Sequence, residues 1–323
     1  MRRLNGWLPL LLALALAALP ALLSPYGLDL VLRTMTLAVF ALSLELLVGG
    51  TGLVSLGHAA FYGIGAYATV LASPADAPGA LLTMLGAAMG VAALYALAVG
   101  ALSLRTKGVY FIMVTLAFAQ MAYFVFHDTK LGGGTDGIYL NLRPQLAWGS
   151  GAGASVLLDL DNKRQMYGLA LAALVASYGL LALIQRSRFG HALAGIRDNE
   201  QRMRAAGFAT LAYKLAAFVI AGALAGLAGF LTAAKDGFVN PEMLSWHESG
   251  AVLLVIILGG RGHLRGAVLG AVSFVLLKEA LSTPALVGPL AERWQLTLGV
   301  TIIAFVALLP KGLIGLFNAR AKS

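Results

Sequence analysis

The chain has 323 residues, of which 59% are hydrophobic and 11% charged, and its mean hydropathy is +0.84. Ordinary soluble domains contain about 45–50% apolar residues, so this composition excludes a soluble globular protein. Cysteine is absent, which excludes disulfides, thiol catalysis and cysteine-based metal sites.

Apolar runs of about 20 residues recur along the chain and predict membrane-spanning helices, since helices satisfy every backbone polar group in lipid. The first run ends in "LLSPYG", which offers no signal-peptide cleavage site, so we predict a retained helix. We predict ten spans, at about 7–24, 30–48, 52–72, 79–104, 108–127, 167–185, 214–234, 248–260, 266–282 and 294–309. The predicted fold class is an all-α integral membrane protein with a single polytopic domain.

A polar, glycine-rich segment at about 128–166 separates the spans into two groups, 1–127 and 167–309, and a tail follows at 310–323. We predict that this segment is a flexible extracytoplasmic loop. Its glycine run at 132–134 is not followed by Lys-Ser or Lys-Thr and does not follow a predicted strand, so it does not indicate a phosphate-binding loop.

The net charge of +9 is unevenly distributed along the chain. Of the 23 Lys and Arg residues, 15 fall in predicted cytoplasmic segments and 6 in extracytoplasmic ones, while Arg33 and Lys278 lie inside spans. This bias places both termini in the cytoplasm. The basic excess therefore indicates topology, and we predict a multi-pass protein of the inner or plasma membrane that contacts lipid and binds no nucleic acid.

Two glycine motifs interrupt the apolar runs, "VGGTGLVSLGH" at 48–58 and "LGGRGHLRG" at 258–266. Short, glycine-interrupted segments in the two halves of a transporter indicate a solute pathway at a repeat interface; tight helix turns are the alternative interpretation. The predicted pathway residues are Glu45, Ser55, His58, Tyr62, Tyr67, Gly259 and Gly260.

Small residues spaced by three or four predict close packing between helices. The sequence "GALAGLAG" and the segment after the second break carry this pattern. The predicted packing residues are Gly222, Gly226, Gly229, Gly262, Gly266 and Gly270.

The stretch "RDNEQRMRAAGF" at 197–208 has five charged residues among its first eight. Leu193, Ile196 and Met203 form one helical stripe, and two acidic residues each precede an arginine by four, the favourable order for helical ion pairs. We predict one amphipathic helix on the cytoplasmic side. A lipid-bound helix gains most from unpaired basic residues, so the self-paired charges favour a protein-docking surface. Its residues are Arg197, Asp198, Glu200, Arg202, Arg204 and Gly207.

Three long stretches resemble the permease subunits of branched-chain amino acid (hydrophobic amino acid uptake) ABC importers. They are "GLVSLGHAAFYGIGAYA" (52–68), "RSRFGHALAGIRDNEQRMRAAGFATLAYKLAAFVIAGALAGLAGFL" (186–231) and "FVNPEMLSWHESGAVLLVIILGGRGHLRGAVLGA" (238–271). The resemblance implies a partner set of a second homologous permease subunit, ATP-binding cassette subunits and an extracytoplasmic solute-binding protein. It also implies that 197–207 is the segment that touches the ATPase.

The chain contains no G-x-x-x-x-G-K-[ST] motif, no HExxH and no clustered metal ligands. We therefore predict a transport subunit that is not an enzyme and holds no metal or cofactor, with ATP bound by the partner subunits. A stand-alone secondary transporter or channel is the alternative in another class, but it would need several buried charges, and only Glu45 and Arg33 qualify. Glu45 stands where branched-chain permeases often have Asn and the related urea permeases an acidic residue, so a urea or short-amide permease stays open.

Overall fold

Helices dominate the computed structural model, which describes residues 20, 23–74, 76–148, 155–309 and 312–315. In chain order the helices are α1 (Pro25–Glu45), α2 (His58–Leu71), α3 (Leu81–Ser103), α4 (Val109–Asp128), α5 (Lys163–Arg186), α6 (Arg188–Asp198), α7 (Glu200–Ala205), α8 (Thr210–Asp236), α9 (Trp246–Gly259), α10 (Leu264–Ser282), α11 (Pro284–Val287) and α12 (Trp294–Leu308). The predicted span 7–24 and the tail 310–323 lie almost entirely outside the described residues.

Six helices of the described chain are long and apolar enough to cross a membrane, and α9 with α10 makes a seventh if that bent pair counts as one span. These six candidate spans are formed by α1, α3, α4, α5, α8 and α12, in some cases with flanking turns. Large apolar side chains on α3, α4 and α12 are exposed, as expected for surfaces that face lipid. The chain is thus an all-α, multi-pass membrane protein, whereas the predicted count of ten spans is not confirmed.

One predicted span is wrong in its bounds, because the first glycine motif interrupts it, whereas the predicted spans 248–260 and 266–282 agree with α9 and α10 within about two residues. The predicted span 52–72 becomes α2, which begins only at His58 and has 14 residues, or about 21 Å at 1.5 Å per residue against a hydrocarbon core of about 30 Å. α9 is equally short, and it meets α10 at an angle of 113°. The turn between them needs positive φ at Gly260 (109°) and Gly262 (85°), which other residues rarely adopt.

The segment 128–166 is partly folded, so the prediction of a flexible loop is wrong for its described residues. Strand β2 (Gln145–Trp148) pairs antiparallel with β3 (Ser155–Asp159), and β1 (Ile138–Tyr139) pairs with β4 (Phe238–Val239) just after α8. Arg143 Nη1 donates to the carbonyls of Ala234 and Lys235, each at 2.6 Å. These bonds satisfy carbonyls at the end of α8 and hold the segment over that end of the bundle.

The core lies around α8, which packs against α1, α2 and α3. Close approach depends on residues without a Cβ. A Cβ added at Gly226 would lie 2.6 Å from the Ala88 carbonyl oxygen on α3, and one added at Gly222 would lie 2.4 Å from the Ala96 Cβ. On α10, a Cβ at Gly266 or Gly270 would lie within 2.3 Å of a carbonyl oxygen of the preceding turn or helix. Gly262 differs, since a Cβ there would meet nothing within 4 Å.

We expect Gly229→Ala to destabilise the protein by about 1–3 kcal/mol, the range for overpacking a core. The added Cβ would lie 2.0 Å from the Tyr62 carbonyl oxygen, a backbone atom that cannot rotate away. Gly86→Ala is the matched control, because a Cβ there meets nothing within 4 Å and alanine favours the helix. Thermal unfolding in detergent measures both, and equal midpoints for the two variants would contradict the close packing.

Candidate functional site

The charged segment forms two short helices, α6 and α7, rather than the single predicted helix. Asn199 separates them with an extended backbone (φ −158°, ψ 96°), and its Oδ1 accepts a hydrogen bond from the Arg202 amide at 2.9 Å as the N-cap of α7. Ser187 caps α6 in the same way. Asparagine and serine favour this position because their side chains satisfy a free helical amide. α6 buries Leu193 and Ile196, whereas most side chains of 201–209 are exposed.

The break at Asn199 also changes the ion pairs. Glu200 and Arg204 lie within one helix and pair at 2.6 Å, as predicted. Asp198 ends α6 and therefore pairs with Arg197 at 3.3 Å, and the predicted pair with Arg202 does not form. Gly207 follows α7 with φ of 87°, so it ends the helix and turns the chain toward α8.

Lys214 anchors the segment to α8, a contact that the sequence analysis missed. Its Nζ lies 2.9 Å from Glu200 Oε1, and its side chain is only 7% exposed. Thr210 donates a further hydrogen bond to the same oxygen. Burial raises the pKa of Glu200, but the bonds from Lys214, Arg204 and Thr210 outweigh it and hold the pKa below its usual value. The pair therefore stabilises the segment at neutral pH, and its contribution is lost only as the pH falls through that lowered pKa.

Arg197 joins the segment to the first glycine break. At its C-terminal end α1 continues into a π-helical turn, Leu46–Thr51, which stops at Gly52 with φ of 72°. Arg197 Nη1 donates to the Gly49 carbonyl at 2.6 Å, and its Cγ lies 3.1 Å from where a Cβ on Gly52 would be. π-Turns commonly occur at functional positions. Here the turn receives a side chain from the exposed segment.

Glu45 joins the first break to the second. It is fully buried, and its Oε1 accepts a hydrogen bond from the Gly262 amide at 2.6 Å. Gly49 approaches the Gly262 backbone so closely that a Cβ would lie 3.0 Å from its Cα. Gly259 lies at another close approach, since a Cβ added there would lie 1.8 Å from the Gly266 carbonyl oxygen. The two glycine motifs, 210 residues apart in sequence, therefore meet in space.

His58 and Ser55 lie in a buried polar cluster at the start of α2. His58 Nε2 lies 2.8 Å from Ser43 Oγ, and Ser55 Oγ accepts from the Gly57 amide at 3.2 Å. Ser249 of α9 reaches across to accept from the Ala59 amide at 2.8 Å. Further along α2, the Tyr67 hydroxyl donates to Gly132 O at 3.2 Å. Of the three predicted pathway positions here, His58 and Tyr67 bond to other elements and Ser55 bonds locally. Their role in solute passage stays a prediction.

A cavity of about 450 Å³ opens between α1, α2, α8, α9 and α10 at the other end of the bundle. Of the predicted pathway residues it includes only Tyr62, whose hydroxyl donates to Thr232 Oγ1 at 2.9 Å. We call it the charged cavity, because its lining contains Arg33, Lys235, Asp236, Glu242, Glu248, Lys278 and Glu279. The sequence signal was available for Arg33 and Lys278, since charges at membrane depth mark functional positions.

Two helices run from the charged segment to the charged cavity. α8 begins at Thr210, beside Glu200, and ends at Asp236 in the cavity wall. Its 27 residues span about 40 Å at 1.5 Å per residue. α1 lines the cavity with Arg33 and ends beside Arg197 at the π-turn. Two continuous helices therefore join the exposed charged segment at one end of the bundle to the charged cavity at the other.

Comparisons with known proteins agree with this architecture. The family model for the permease component of branched-chain amino acid transport systems matches residues 26–307. The high-affinity branched-chain amino acid transport system permease protein LivM of Escherichia coli K12 is 31% identical over 327 residues, which cover 97% of this chain and 75% of the relative. LivM of Salmonella typhimurium LT2 is 31% identical over 320 residues, or 94% and 74%.

A shorter similarity extends to another import system. The autoinducer 2 import system permease protein LsrC of Klebsiella pneumoniae is 37% identical over 108 residues, which cover 32% of this chain and 30% of the relative. No solved structure matches the chain significantly. The family match along most of the chain, with relatives above 30% identity over nearly all of it, shows that the protein belongs to the branched-chain amino acid transport permeases.

Proposed function

We propose that the protein is the membrane-spanning permease subunit of an ATP-driven importer for branched-chain amino acids or a related small polar solute. The solute comes from an extracytoplasmic binding protein, and a second permease subunit completes the membrane part. The family is a transport permease family and not an enzyme family, so the energy comes from ATP-binding subunits. Segment 197–207 is their docking surface.

The observation that carries this proposal is the position of α6 and α7. Both helices are held to the bundle by buried contacts, Leu193 and Ile196 on one helix and the Glu200–Lys214 pair on the other. Their remaining charges, including Asp198 and Arg202, stay exposed. A surface that is rigidly anchored and rich in charges of both signs suits a protein partner better than lipid.

Glu45 bears on the choice between an amino acid and a urea or amide as the solute. Its carboxylate is fully buried and bonded to the Gly262 amide, and it does not line the charged cavity. An acidic residue at this position therefore supports the junction of the two glycine breaks rather than solute choice. This placement removes the argument from Glu45 for a urea permease, and the branched-chain amino acid proposal agrees with the names of the LivM relatives.

The test is reconstitution of the chain in proteoliposomes with the ATP-binding subunits, second permease and binding protein encoded beside it. We expect accumulation of radiolabelled leucine that needs both ATP and the binding protein. Accumulation of urea but not of leucine would support the second candidate. Uptake without ATP, driven by an ion gradient, would contradict the proposal and support a secondary transporter.

The proposed direction requires the charged segment to lie in the cytoplasm. The protein has no cysteine, so single cysteines report topology without background. We expect Leu157→Cys, exposed in β3, to react with an impermeant maleimide added outside intact cells, and Gln201→Cys, exposed in α7, to react only after permeabilisation. The reverse pattern would overturn the orientation and, with it, the docking role of the segment.

A further inference from the structure

Three charged side chains of the cavity make no direct ion pair within 4 Å, although Glu248 lies within electrostatic range of both Arg33 and Lys278. Lys235 pairs with Asp236 at 2.6 Å, while Glu242 and Glu279 each accept a hydrogen bond from a tyrosine hydroxyl. Arg33, Glu248 and Lys278 have neither an ion pair within 4 Å nor a side-chain hydrogen bond among the described residues. Charges held in a chamber within a membrane protein are costly unless water, protein or a ligand compensates them.

The three unpaired charges come from different helices that meet at the cavity. Arg33 lies on α1, Glu248 on α9 and Lys278 on α10. The Lys278 ammonium lies 4.9 Å from the centroid of the Trp294 ring, which fixes its position by a cation–π contact and leaves its hydrogen-bond donors free. Two cations and one anion therefore border one space, with Lys278 held by Trp294 and the side chains of Arg33 and Glu248 exposed.

Part of the wall is apolar. Leu37, Phe40, Met243, Phe274 and Val275 face the same cavity, and the Phe40 ring stacks on Tyr62 at 4.6 Å between centroids. The volume of about 450 Å³ lies in the range of about 300–1,000 Å³ typical of small-molecule sites. The wall is more highly charged than that of a usual small-molecule site, and it combines these charges with an apolar surface.

We propose that the charged cavity binds a free zwitterionic amino acid with an aliphatic side chain, its carboxylate held by Arg33 and Lys278 and its ammonium by Glu248. A simple anion would face Glu248 and the neighbouring acidic residues, and a simple cation would face two cations. A zwitterion compensates all three charges at once. This inference rests on the proposed function and adds a binding site within the permease itself, separate from the binding protein.

The test measures radiolabelled leucine binding to the complete transporter, without binding protein, in phosphatidylcholine nanodiscs. Leucinamide, which lacks the carboxylate, and 4-methylpentanoate, which lacks the ammonium, serve as competitors. We expect each to bind at least about tenfold more weakly than leucine, because each loses charge-assisted hydrogen bonds. Equal affinity for the three compounds would overturn the proposal.

Three variants test which cavity residue binds the carboxylate of leucine and which binds its ammonium. We expect Arg33→Gln and Lys278→Met to weaken leucine binding about tenfold or more and to narrow the difference between leucine and leucinamide. Glu248→Gln should instead narrow the difference in affinity between leucine and 4-methylpentanoate. A merely structural role would not produce these opposite changes in preference. Lys163→Met and Glu292→Gln, exposed charges that do not line the cavity, are the matched controls and should bind leucine as the wild type does.

Two further outcomes separate the explanations. A phosphatidylethanolamine headgroup offers the same pair of charges, so displacement of leucine by that lipid in the nanodisc would overturn the proposal in favour of a lipid site. If the wild-type complex takes up leucine with ATP but does not bind it at this cavity, the proposed binding site is wrong and the proposed function stands. If it does neither, the proposed function fails and the site fails with it.

Discussion

Replacing Glu200 with alanine is expected to abolish association with the ATP-binding subunits while the protein remains inserted in the membrane. The substitution leaves the Lys214 ammonium, 7% exposed, without its carboxylate, and removing one partner of a buried pair costs up to about 3–5 kcal/mol. Because α7 has no buried residue of its own, we expect it to detach from α8. Pull-down of the ATP-binding subunits from membranes measures the loss.

Arg204→Ala is the matched control for this prediction. Arg204 contacts the same oxygen of Glu200 at 2.6 Å, but it is 53% exposed, and exposed pairs contribute only about 0.2–1 kcal/mol. We expect the Arg204 variant to retain most of its ATPase association and uptake. Equal loss in both variants would show that the exposed charge contacts the partner directly, and undiminished binding in both would contradict the docking role of the segment.

Arg197→Ala is expected to separate ATP hydrolysis from transport. The guanidinium connects the docking segment to the π-turn through the Gly49 carbonyl at 2.6 Å. α6 and α7 keep their other anchors without it, so the ATP-binding subunits should still bind. The substitution removes this charged hydrogen bond, worth about 1.5–3 kcal/mol, and with it the contact between the docking segment and Gly49. We expect uptake to fall at least about tenfold while ATPase activity persists.

Arg197→Lys refines the experiment, because lysine keeps the charge but lacks the planar fork of the guanidinium. Partial recovery of uptake would show that charge near Gly49 suffices. Arg202→Ala is the control, since Arg202 is exposed in the same segment and makes no side-chain bond in the described structure. If Arg197→Ala lost ATPase association as strongly as Glu200→Ala, the two residues would share a docking role and the separation would be wrong.

The sequence predicted local features well. Continuous hydropathy located α3, α4, α5 and α8, and the stripe of Leu193 and Ile196 identified the buried face of α6, because both patterns depend on neighbours along one helix. Positive φ at Gly52 and Gly260 explains why the glycine motifs interrupt their helices. Asn199 is a further local signal for the break between α6 and α7, since asparagine is a preferred N-cap.

Features that depend on contacts between distant segments could not be predicted in this way. Lys214 reaches Glu200 across the turn between α7 and α8, and because the two residues lie on different helices their spacing of 14 residues does not indicate the contact. Arg33, Glu248 and Lys278 lie on three helices that become neighbours only after folding. The pairing of Glu45 with the Gly262 amide is of the same kind, and no spacing rule indicates it.

The π-turn at Leu46–Thr51 contains one more residue per hydrogen-bonded turn than an α-helix. Rewinding it to α-helical geometry would rotate the chain beyond it by about 100° relative to α1, the angle of one residue, without lengthening or breaking either neighbour. The π-turn, which lies between the contacts of Arg197 and Gly262, thus contains one residue more than an α-helical turn would. Backbone geometry sets the angle of any such rotation. The chain that follows the π-turn would therefore rotate by one fixed amount while α1 keeps its shape.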